Sequence, residues 1–158
     1  MKRAGFTLAE LVIVIGITGI IAVAAYVALP YGLRSVNTLD IAANELADRL
    51  RDAQVKASAQ EEGSKWGLHL DAVNGAADTY IVFYGNDYVG GTLAITVTLP
   101  VIVQFSDPAQ GGTKDIIFSK ITGYPNAAAT IILSLVNDPA TVRTITISRV
   151  GVINISKN

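Results

Sequence analysis

The feature that most constrains this chain is a stretch of 23 residues, Leu11 to Leu33, that carries no charge and is bounded by Glu10 and Arg34. At about 1.5 Å rise per residue, about 20 apolar residues cross a hydrocarbon core about 30 Å thick. The stretch therefore predicts a membrane segment. Lys2 and Arg3 lie on its N-terminal side, and the positive-inside rule keeps that end cytoplasmic. A secretory signal peptide has a shorter apolar stretch followed by a small-residue cleavage site. Here the apolar run is longer and passes into a polar helical segment without an obvious A-x-A site, so cleavage after the span is not expected.

Glu10 is the odd residue. A carboxylate beside a long apolar run, separated from the basic leader only by Phe6 to Ala9, is costly to place in lipid. Taken alone, it reads equally well as a helix-start acid favoured by the helix dipole. Its neighbours break the tie. Gly5-Phe6-Thr7-Leu8-Ala9-Glu10-Leu11 resembles the processing motif of type IV prepilins and type II secretion pseudopilins, with leader charge, glycine, phenylalanine, glutamate and uncharged span in order. Gly19 also falls where that family has glycine.

The resemblance implies cleavage between Gly5 and Phe6 by a prepilin peptidase and methylation of the Phe6 amine. It implies that Glu10 then pairs with the Phe6 amine of a neighbouring subunit. Pairing would neutralise both charges at low dielectric and set the axial register of a filament. Implied partners are like or related pilin subunits, the prepilin peptidase and an inner-membrane assembly platform. The implied location is a single-pass inner-membrane precursor, N-terminus cytoplasmic, that ends in a periplasmic or cell-surface filament.

Pro30 removes a helix hydrogen bond, and Gly32 adds freedom beside it. Together they predict a bend where the membrane helix meets the rest of the chain. From Ser35 to about Glu62 the pattern stays helical, with Val36, Leu39, Ala43, Leu46, Leu50, Ala53 and Ala57 on one face. Glu45/Arg49 and Asp52/Lys56 are acid-before-base pairs four apart on other faces, and Gly63 is a plausible stop.

After Gly63, short β-branched runs replace the helical period: 66–70, 79–84, 93–99, 101–105, 115–119, 130–135, 142–148 and 152–156. Turn signals separate them, among them Gly90-Gly91, Asp107-Pro108, Tyr124-Pro125-Asn126 and Asn137-Asp138-Pro139. The expected fold is α+β, a long N-terminal helix on an antiparallel meander or two-sheet sandwich. The expected divisions are a leader (1–5), a membrane or filament-core helix (6–33), an amphipathic helix (34–62) and a β-rich head (63–158). The closing segment Arg143–Ile153 resembles the last hairpin of H-type pseudopilins and FimT-like minor pilins.

No enzyme is expected. The chain lacks cysteine, and it shows no nucleophile elbow, P-loop or HExxH sequence. His69, the single histidine, reads as a strand-face residue. Asp107, Asp115 and Asp138 match no calcium loop and read as turn residues, so no metal or other cofactor is expected. Tyr80, Phe83, Tyr84 and Tyr88 read as packing aromatics, since no cluster of Lys or Arg accompanies them. With 12 basic and 13 acidic side chains, nucleic acid is not an expected partner.

The primary expectation is a structural filament subunit, a pilin or pseudopilin. One alternative is a minor tip pilin for adhesion or DNA uptake, which needs an exposed basic groove near Arg143 and Arg149. The other is a signal-anchored domain outside any filament, in which Phe6 never becomes an N-terminus.

Overall fold

A computed structural model describes the backbone of residues 7–27 and 31–157 and the side chains of residues 7–24 and 34–157. Contacts divide the chain into two units, Met1–Arg34 and Ser35–Asn158.

The first unit contains α1 (Leu8–Val27), a helix of 20 residues with Glu10 as the acid of its first turn. Every described side chain of α1 is exposed, including Leu11, Val12, Ile13, Ile15, Ile17, Ile20 and Ile21. Thr18 turns its hydroxyl back onto the Val14 carbonyl at 2.7 Å, which hides a polar group along an apolar surface. Among the described residues no helix is long and apolar enough to cross a membrane. The described side chains of α1 stop at residue 24, well before the uncharged run ends at Leu33.

α2 (Tyr31–Ser58) supplies the helix of the second unit. The expected stripe is there: Leu39, Ala43, Leu46, Leu50, Ala53 and Ala57 are buried, and Val36 packs partly buried against them. Ala42 and Ala47 are buried as well and widen the stripe, their small side chains allowing close approach of the helix. The pairs Glu45–Arg49 (3.7 Å) and Asp52–Lys56 (3.1 Å) form on its outer side. The helix stops at Ser58, earlier than Glu62. Gln60 (φ 57°) and Glu62 (φ 55°) take left-handed conformations that break the helical path into a 3-10 turn at Glu61–Gly63.

Eight strands follow: β1 (Trp66–Asp71), β2 (Thr79–Tyr84), β3 (Thr92–Thr98), β4 (Val103–Asp107), β5 (Thr113–Phe118), β6 (Ala129–Leu135), β7 (Asp138–Ile147) and β8 (Ile153–Lys157). They form two antiparallel four-stranded sheets, ordered β3-β2-β1-β5 and β4-β6-β7-β8. The fold is α+β. The chain switches sheets at β4 and returns for β5, so neither sheet is a simple meander.

Several boundaries depart from expectation, among them the start of β5 at Thr113 rather than 115, and two of the departures have clear local reasons. β4 begins at Val103 because Val103 N–H closes a turn onto the Pro100 carbonyl at 2.8 Å. β7 begins at Asp138, inside the expected Asn137-Asp138-Pro139 turn, because Leu135 already pairs with Asp138 around Val136-Asn137. One core cluster joins the α2 stripe to Trp66, Leu68, Leu70, Tyr80 and Phe118 of the first sheet and to Phe105, Ile131, Leu133 and Ile145 of the second.

Candidate functional site

The candidate site at the N-terminus is built from a helix start. Thr7 precedes α1, and its backbone N–H donates to Glu10 Oε2 at 2.9 Å while its hydroxyl donates to the same oxygen at 3.0 Å. Glu10 N–H returns a bond to Thr7 Oγ1 at 3.3 Å. This reciprocal arrangement is a capping box, in which a Thr and an acid three residues later satisfy each other's free donors. Glu10 is thus held at the head of a helix that is otherwise uncharged through its described length. Gly5, Phe6 and Pro30, expected as the processing site and the bend, lie outside the described residues. Gly32 falls within α2. Gly16 and Gly19 leave open space on α1, with nothing near the position a Cβ would occupy.

The second unit holds three polar clusters that join distant parts of the chain. In the first, Arg143 of β7, 5% exposed, donates through Nε to Asp40 of α2 at 2.5 Å. Lys157 of β8 donates to the other carboxylate oxygen at 3.1 Å. The Arg143 bond, with a smaller contribution from Lys157, holds the Asp40 carboxyl below its ordinary pKa against the opposing effect of burial. Two of the cations near the C-terminus are therefore engaged with α2. Arg149 is exposed.

The second cluster lies against the first sheet. His69 Nδ1 is 2.5 Å from Asp115 Oδ1 on β5, and the ring stacks on Tyr88 at 3.7 Å. Asp115 is a mid-strand residue here, a correction to its reading as a turn residue. Phe83 fills the space over Gly67, where any Cβ would meet the Ile116 carbonyl, and packs edge-on against Tyr88 at 5.7 Å. Phe83 is fully buried yet belongs outside the main core cluster. The loop carrying Tyr88 thus closes a small second core.

The third cluster centres on Asp78, which is 1% exposed. It accepts bonds from Val73 N–H (2.8 Å), Phe105 N–H (2.5 Å) and Gln110 Nε2 (3.0 Å). These bonds tie the β1–β2 connection to β4 and the loop that follows it. Beyond the three clusters, Lys114 bonds to Asp107 and to the Thr130 carbonyl, and Asp138 accepts from Thr141 Oγ1 at 2.5 Å. Among the described residues no group of three or more His, Asp or Glu is placed to hold a metal ion.

The aromatics divide between core and surface. Tyr84 packs against Trp66 at 5.1 Å, and Lys56 lies over the indole at 4.6 Å. Tyr80 is buried beside α2, and its hydroxyl has no hydrogen-bond partner among the described residues. Burial, reinforced by Glu45, pushes its pKa up to about 12.

Residues 1–26 match the family described as the prokaryotic N-terminal methylation motif. The match includes Glu10 and most of α1, and it marks a prepilin-type signal like that of type IV pilins and pseudopilins. No curated protein and no solved structure matches the chain.

Proposed function

We propose that the chain is a structural subunit of a type IV pilus or type II secretion pseudopilus, cut between Gly5 and Phe6 and assembled through its N-terminal helix. The observation that carries this reading is α1 itself, an all-round apolar helix exposed at every described side chain, with one carboxylate at its head, lying under the methylation-motif match. Its β-branched residues, from Val12 through Ile21, lower helix propensity in water. In lipid, or among like helices, the backbone must satisfy its own hydrogen bonds, so helix is the state such a segment takes.

In this reading residues 6–33 first lie in the inner membrane and then form the filament core. Cleavage frees an amine on Phe6, next to Thr7, whose N–H already donates to Glu10. The capping box therefore holds the carboxylate at the start of its own helix, and pairing with a neighbour's Phe6 amine competes with that local arrangement. An unpaired carboxylate and ammonium at low dielectric are both unfavourable, so docking that neutralises them supplies register as well as affinity. The reading assigns the protein no catalysis: the peptidase acts on it as substrate.

The test is the intact mass and N-terminal sequence of the chain co-expressed with a prepilin peptidase, as wild type and as Gly5→Ala. The expected product begins at N-methylated Phe6 and is lost in the variant. An uncut chain in both cases would leave Glu10 as an ordinary helix-capping acid of a signal anchor.

A further inference from the structure

The two sheets have four edges: β3 and β5 in the first, β4 and β8 in the second. Natural sheets protect such edges with charge, proline, bulges or short length, because unpaired backbone donors and acceptors recruit other strands. β5 carries Lys114 and Asp115, β4 has only five residues and ends at Asp107 before Pro108, and β8 ends in Lys157. β3 differs. It lies within a segment, Tyr88 to Ser106, that contains no charged residue, and its seven residues contain no proline. Thr92, Leu93, Ala94, Thr96 and Thr98 are exposed, and Ile95 and Val97 are half-buried. A bulge at Ala94, between the Leu93–Phe83 and Ile95–Val82 pairs, bounds a straight edge that runs from Ile95 to Thr98.

We infer that the β3 edge pairs antiparallel with β3 of a second copy of this chain, about a two-fold axis at Thr96, joining two four-stranded sheets into one of eight. The choice of partner comes from the sequence of the edge. Leu93-Ala94-Ile95-Thr96-Val97-Thr98-Leu99 is nearly the same read in either direction around Thr96. Antiparallel pairing places Thr96 opposite Thr96 and Ile95 opposite Val97, within the regular stretch beyond the bulge. Threonine pairs and aliphatic pairs are favourable cross-strand neighbours. An isologous contact needs this self-complementarity. No like charges meet across it, whereas a second copy of β5 or β8 would bring its own lysine. Such a pair closes on itself and cannot propagate a helix. It is therefore a contact separate from filament packing and stands whether or not the filament reading holds.

The absence of cysteine makes the test clean. Full-length chains in membranes, each with one introduced cysteine, are oxidised and resolved without reductant. Thr96→Cys is expected to give a covalent dimer. Val89→Cys and Val101→Cys, at positions 95% and 79% exposed but off the strand, are expected to give background only. Random collision predicts the reverse ranking and would overturn the proposal, as would failure of Thr96→Cys to cross-link.

A second measurement mixes copies carrying Ile95→Cys with copies carrying Val97→Cys. Thr96→Lys in both copies should lower their cross-linking about tenfold through facing like charges, as should Thr96→Glu in both. Thr96→Lys in one copy and Thr96→Glu in the other should restore it. Thr96 is exposed, so the fold tolerates each change. Cross-linking indifferent to these charges would refute the paired edge.

Discussion

α1 and α2 are both long helices, 20 and 28 residues, yet they present opposite surfaces. Along α2 apolar positions return every three or four residues, and that stripe is buried with the inward faces of both sheets. Along α1 they occupy every side, and all its described side chains are exposed. The polar residues differ in the same way. Those of α2 pair with neighbours one turn away or, like Asp40, with the opposite end of the chain. Among the described residues, Glu10 bonds to the start of its own helix. A helix meant for its own domain needs one apolar face, because the domain covers only one side. A helix apolar all round needs a surrounding that covers every side, and the lipid and filament core proposed for α1 both do so.

The contrast can be broken by mutation. Leu50→Ala in α2 removes a fully buried side chain and should cost the second unit about 4 kcal/mol in urea unfolding. Ile15→Ala in α1 should shift the same transition by less than about 0.5 kcal/mol. Equal losses would mean that α1 contributes to the stability of the second unit, and the comparison would fail.

The next effect separates Asp40 from the surface pairs of the same helix. Asp40→Ala leaves the Arg143 guanidinium buried without its carboxylate and should cost about 2 kcal/mol, since Asp40 is partly exposed. Asp52→Ala should cost less than about 0.5 kcal/mol. Because the folded state lowers the Asp40 pKa, its contribution is full above the unfolded value near 3.8 and is lost as pH falls through the folded value. Urea midpoints should decline in that acid window for the wild type and less steeply for Asp40→Asn.

Smaller again is the clamp made by Gln54, whose Nε2 donates to the carbonyls of Gly123 (3.1 Å) and Gly151 (3.0 Å). Gln54→Ala should cost about 1–2 kcal/mol and speed amide exchange in both loops. Gly151 has φ +82°, and a Cβ there would strike the Gln54 amide, so Gly151→Ala should affect the same two loops. The smallest effect is spectroscopic. Tyr80 should ionise near pH 12, above the ordinary value of 10, in an absorbance titration. Its folded pKa is raised, so its contribution to stability is present below pH 10 and declines as pH rises from there toward 12.

Local pattern made much of this molecule legible in advance. The α2 stripe and all eight strands follow from spacing of apolar residues and from turn chemistry. The N-terminal motif is legible because its chemistry is contiguous, from Lys2 to Glu10. Contacts between distant residues were not legible. Asp40 and Arg143 are 103 residues apart, and single-residue properties do not say which charge meets which. His69 reads as a strand-face residue, but Asp115 reaches it only once β5 has crossed back to lie beside β1, and Tyr88 only from the β2–β3 loop. The sheet switch at β4 has no local signature either, because both sheets use the same alternating strands. Ala42 and Ala47 were missed because alanine is a weak apolar signal, although its small size is what lets α2 pack closely.

The most direct test of this division between the two helices compares residues 35–158 alone with the full-length chain. The account predicts that residues 35–158 remain soluble without detergent and unfold cooperatively at the urea midpoint of the full-length protein in detergent. It also predicts that only the full-length chain partitions into lipid vesicles. A fragment that fails to fold, or one that partitions as the full chain does, would contradict it.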